Sequence, residues 1–144
     1  MLKWNALHDI LEKTSIRHRQ LASRFDVFAK FACDQLTAKS FHIKGITAEL
    51  HGEQGFFTTT FAGRVLDFVF SSTSDSPGSL IGTVKCYIKR DVPQLINIEL
   101  GGFTFNGSGQ TNLIDPENND PIYIDSDIPS LYVALHFIHE SLTH

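Results

Sequence analysis

The first 38 residues contain no glycine and no proline, and this limits the fold more than any other feature. Trp4, Leu7, Leu11, Thr14, His18, Leu21, Phe25, Phe28, Ala32 and Leu36 recur at intervals of three and four residues, the spacing of one helix face. A single helix over residues 3–38 would be roughly 54 Å long at 1.5 Å per residue. A compact domain of this length spans only about 37 Å. The helix therefore either breaks or overhangs. The stripe turns polar at Thr14 and His18, and Thr14-Ser15 can cap a second helix; this reading favours the break. An overhanging end carrying Trp4, Leu7 and Leu11 would need a cover, and a second copy of the chain is the simplest one.

From Phe41 the apolar period changes to two, which predicts strands. Residues 41–50 form the first, with a bulge near Lys44-Gly45 to re-register it. A loop over 51–55 leads to the alternation of Phe57, Thr59 and Phe61 with Phe56, Thr58 and Thr60. Ala62-Gly63-Arg64 turns the chain into 65–70, where Leu66, Phe68 and Phe70 share a face. Residues 71–79, SSTSDSPGS, read as a surface loop. Strands over 81–90 and 94–100 follow. Gly101-Gly102 fits a two-residue hairpin turn, because glycine tolerates positive φ. Phe103 and Phe105 start the return strand. Residues 106–119 read mostly as loop and 122–124 as a short edge strand. Asp127 before Ile128-Pro129 starts a last helix, with Leu131, Leu135, Ile138 and Leu142 as its buried stripe.

The predicted fold is α+β in one domain over 1–144. It has an antiparallel meander of five to six strands, one face covered by the N-terminal helix or helices and a C-terminal helix. The other face carries Lys85, Lys89, Asn97 and Glu99. A chain of 144 residues buries roughly 70% of its unfolded surface, so no metal or disulfide is needed to hold it. Twelve phenylalanines supply the core, with Phe25, Phe28, Phe31, Phe57, Phe61, Phe68, Phe70, Phe103 and Phe105 as its expected members.

The opening residues lack the apolar run of an export signal, and no window approaches the ~18 apolar residues of a membrane span. The expectation is a cytoplasmic protein that does not enter membranes, with Cys33 and Cys86 as reduced core thiols. The net charge of −4 argues against a general nucleic-acid binder. Lys13, Arg17, Arg19 and Arg24 cluster on the helix, but such residues ordinarily populate an exposed helix side. Residues 1–50 hold eight Lys/Arg and five Asp/Glu, net +3, and residues 51–144 hold four and eleven, net −7.

Catalytic signatures fail one by one. His136, His139 and Glu140 are close enough in sequence to share a metal, yet HFIHE is not HExxH and reads as a solvated helix face. Residues 101–109, GGFTFNGSG, resemble a phosphate loop only in composition, because no Lys-Ser/Thr follows and no helix starts there. No serine stands in a GxSxG elbow. No catalytic residue, metal site or cofactor is assigned. The least ordinary feature is the run Asp115, Glu117, Asp120, Asp125 and Asp127, which holds no Lys or Arg and lacks calcium-loop spacing.

These residues point to a non-enzymatic protein-binding module, of adaptor, inhibitor or immunity type. It would engage a basic protein partner through the acidic run and the polar sheet face. The alternative is a small-molecule binder or weak hydrolase. It would have an apolar pocket between sheet and helices, served by His136 or His139. A third reading is a homodimer through Trp4, Leu7 and Leu11.

Overall fold

The computed structural model describes residues 1–76 and 79–144. Two helices flank seven strands: α1 (Trp4–Thr37), β1 (Thr47–His51), β2 (Phe56–Phe61), β3 (Arg64–Ser76), β4 (Ser79–Arg90), β5 (Ile96–Phe105), β6 (Gln110–Ile114), β7 (Pro121–Tyr123) and α2 (Asp127–Ser141). The strands are antiparallel and lie in the order β1-β2-β3-β4-β5-β6-β7. The fold is α+β, as expected, with seven strands rather than five or six.

The added strand is β6, in a stretch read as loop. Its ladder to β5 is a single pair, Phe105 with Thr111. It is held from the other side by Thr111 Oγ1 donating to the Ile122 carbonyl at 2.7 Å. Gly101-Gly102 is not a turn. Both lie inside β5, opposite Cys86 and Lys85, where the register shifts by a bulge. Gly102 is needed for closeness instead, since a β-carbon there would overlap the Val84 carbonyl oxygen. The first strand begins at Thr47, not Phe41. The polar stretch after Phe70 extends β3 to Ser76 and pairs through Thr73 and Ile81. Pro77 and Gly78 lie outside the described residues.

α1 does not break. Thr14 Oγ1 donates to the Ile10 carbonyl at 2.7 Å, so its hydroxyl is satisfied within the helix rather than spent as a cap. Thirty-four residues make a rod of about 51 Å. Its buried residues start at Leu21. Before that point Trp4 is 77% exposed and Leu11 is 58% exposed. The overhang is the observed outcome.

The core lies between the helices and one face of the sheet. Phe57 stacks on Phe68 at 4.5 Å, Phe28 meets Phe103 edge-on at 5.6 Å, and Phe137 reaches both Phe68 and Phe103. Phe31 is only half-buried. Phe137 takes a core place the sequence reading did not give it. The buried face of α2 is Ser130, Val133, Ala134, Phe137, Ile138 and Ser141. Leu131 and Leu135 are half-buried and Leu142 is exposed, so the helix is rotated from its Leu stripe. The cause is contact with two layers, since α2 packs on α1 as well as on β5 and β3. Its small serines and alanine allow close approach, and their hydroxyls are satisfied locally. Ser130 Oγ donates to the Ser126 carbonyl at 2.6 Å.

Candidate functional site: an acid-rimmed apolar cleft

The five acidic residues come from three places in the fold. The β6–β7 turn gathers Asp115, Glu117 and Asp120. Asp125 lies beyond β7, against Gly109, and Asp127 opens α2. The turn is built by its own polar groups. Asp115 Oδ1 accepts from the Glu117 amide at 2.9 Å, and Asn118 Oδ1 accepts from the Asp120 amide at 2.9 Å. The Asp115 amide donates to the Asp120 carbonyl at 2.9 Å. Asn119 takes the positive φ of 61° that closes it, a conformation asparagine tolerates. Asp127 Oδ1 accepts from the adjacent Ile128 amide at 2.8 Å. It thus serves the helix start as expected, from the first turn rather than from the cap.

The turn rims a cleft of about 310 Å³ whose other wall is the first turns of α2. Ile122, Tyr123, Ile128, Pro129 and Tyr132 line it. A second hollow of about 260 Å³ shares Ile122 and Tyr132 and continues over Leu113, Ile114, Pro116 and His136. Ile128 is 63% exposed and Ile114 is 53% exposed. The surface therefore combines exposed apolar side chains with carboxylates. Among the described residues, none of the five carboxylates lies within ion-pair distance of a Lys, Arg or His. The apolar half escaped the sequence reading. Its signal was the spacing of four between Ile128, Tyr132 and His136, which puts them on one side of α2.

The outer sheet face differs in kind. Lys85 and Glu99 pair at 3.3 Å, and Thr58 donates to Asp67 at 2.6 Å. Part of its charge is thus answered within the face, whereas Lys89 has no ion-pair partner among the described residues. His136, His139 and Glu140 are exposed. Among the described residues, the group whose ligand atoms come within 4.8 Å of one another is His8, Asp9 and Glu12 on the overhanging helix, not the α2 histidines. Phe rings meet across the space between helices and sheet, where the alternative reading needs an apolar pocket.

The chain matches no family model, no curated protein and no solved structure.

Proposed function

We propose that the chain is a non-enzymatic protein-binding module, and that the cleft between the β6–β7 turn and α2 receives a basic, partly apolar segment of a partner protein. The observation that carries this reading is one juxtaposition: Asp115, Glu117 and Asp120, unpaired among the described residues, line the same cleft as the exposed Ile128 and Tyr132. Lysine or arginine would meet the carboxylates while an apolar side chain covers Ile128 and Tyr132. Asp125 and Asp127 add to the field that draws a cationic partner in. Such an interface forms fast at low salt and weakens as salt rises. The test is capture of a partner from the native cell, at low and high salt, by the wild type and by Asp115→Lys/Asp120→Lys and Tyr132→Ala variants. Loss of the same partner in both variants, with wild-type capture weakened by salt, supports the cleft. Capture unchanged by charge reversal, or no partner at low salt, overturns it.

A second reading, a homodimer through Trp4, Leu7 and Leu11, is favoured by the uninterrupted α1. The spacing from Trp4 through Leu7, Leu11, Thr14, His18, Leu21, Phe25, Phe28 to Ala32 alternates three and four, the seam of a coiled coil. The body covers this seam from Leu21 onward and leaves its first part open.

A further inference from the structure

A second cleft, of about 680 Å³, lies between α1 and the β5–β6 turn, and its chemistry is the opposite of the first. Arg17, Gln20, Arg24 and Val27 form one wall and Asn106, Gly107 and Ser108 the other, with no acidic residue in the lining. The two arginines sit two helical turns apart, yet both guanidinium groups reach the same residue. Arg24 Nε donates to the Gly107 carbonyl at 2.8 Å. Arg17 Nη1 lies 2.6 Å from where a β-carbon of Gly107 would stand, while its Nε donates to the Leu80 carbonyl at 3.4 Å. Each guanidinium is thus steered by its Nε, and its terminal nitrogens have no protein acceptor among the described residues. Both arginine side chains are half-buried.

The facing turn is fixed. Asn106 Oδ1 accepts from the Ser108 amide at 3.0 Å, the Ser108 hydroxyl at 2.7 Å and the Gln110 amide at 3.1 Å. Two like charges brought together against a rigid wall repel one another, and nothing in the lining neutralises them. An anion between them would. Two guanidinium forks that approach from different positions along a helix suit a tetrahedral oxyanion with several free oxygens. A carboxylate has two oxygens in one plane and satisfies one fork.

We propose that this cleft binds a phosphate group, free or carried on a small phosphate ester, with Arg17 and Arg24 as its two ligating forks and Gly107 as the residue whose lack of a side chain lets Arg17 in. Isothermal titration calorimetry of the full chain in low-salt chloride buffer tests it, with inorganic phosphate, pyrophosphate, a nucleoside monophosphate and acetate as probes. At least one phosphate probe should bind and acetate should not. Tighter binding of inorganic phosphate or pyrophosphate than of the ester assigns the free anion, and the reverse assigns the ester. Arg17→Gln and Arg24→Gln should each weaken binding by about tenfold, with Lys30→Gln as the unaffected control. Arg24 also tethers the turn, so circular dichroism must show the variants folded. Gly107→Ala keeps both charges but displaces Arg17, and should weaken binding in the same sense. Absence of binding by every phosphate probe, equal binding of acetate, or undiminished binding by Arg17→Gln and Gly107→Ala overturns the proposal.

Discussion

Gly82 and Phe105 face each other across β4 and β5, and the Phe105 ring lies where a side chain on Gly82 would be. Both are buried, so the ring has nowhere to swing without disturbing Phe70, whose ring centroid is 6.0 Å away. Gly82→Ala is therefore expected to destabilise the fold by about 1–3 kcal/mol, the usual range for overpacking. Gly102→Ala should cost more, because the obstacle there is the Val84 carbonyl and backbone cannot rotate aside. Urea melts of the two variants check both the sign and the order.

The β2–β3 hairpin stores strain that one substitution can release. Phe61 pairs with Arg64, leaving Ala62 at φ 51° and Gly63 at φ 76° as the turn. Two successive positive φ values match the twist of the flanking strands, and Asn-Gly is the sequence such a turn prefers. Alanine in the left-handed region costs roughly 1 kcal/mol. Ala62→Asn should raise the melting temperature by about 2–4 °C. Thermal melts that show no gain would mean the turn already relaxes around Ala62.

The same contrast explains what could be read from the chain and what could not. β2, with Phe57, Thr59 and Phe61 against Phe56, Thr58 and Thr60, was legible because one face is buried and period two follows directly. The start of α2 was legible because Asp127 and Pro129 act locally. Gly101-Gly102 misled, because a glycine needed for close approach looks the same in sequence as a glycine needed for a turn. β6 was hidden because its support comes from Ile122, eleven positions on. The unbroken α1 was hidden because Thr14 can either cap or bond back to Ile10. At the candidate site, composition showed the carboxylates. Only the fold brings Asp115, Glu117 and Asp120 to the same cleft as Ile128 and Tyr132. The meeting of Arg17, Arg24 and Gly107 joins residues more than eighty positions apart, beyond the reach of any local pattern.

The two thiols make stability depend on alkaline pH. Burial, with a smaller push from the Asp34 charge, raises the Cys33 thiol from an ordinary 9.0 to about 11. Burial alone raises the Cys86 thiol well above 9.0. The folded chain keeps both protonated where the unfolded chain releases protons. Their contribution is therefore full below about pH 9 and is lost as pH rises through the folded values. Urea midpoints should fall between pH 9 and 11, and fall less steeply in a Cys33→Ala/Cys86→Ala variant. Cys33 and Cys86 are 7% and 0% exposed, so a thiol reagent at about pH 8 should label the wild type only on unfolding. Rapid labelling of the native protein would contradict this burial.

The overhanging end of α1 offers the last test. Residues 4–16 rest on no other element through a buried side chain, and Trp4, Leu7, Ile10, Leu11 and Ile16 are all exposed. This arm keeps its helix only by propagation from the docked part of α1, without tertiary packing to hold it. His8 and Glu12, an exposed pair at 3.8 Å, add at most a few tenths of a kcal/mol. In the proposed homodimer, a second copy pairing along Trp4, Leu7 and Leu11 would supply the missing burial. The wild type should then run as a dimer in light-scattering chromatography. Trp4→Gln/Leu11→Gln should run as a monomer and lose helical signal, while amide exchange stays slow from Leu21 onward. A wild type that is already monomeric, with fast exchange over residues 4–16, would sink the pairing and leave the arm free for a different protein.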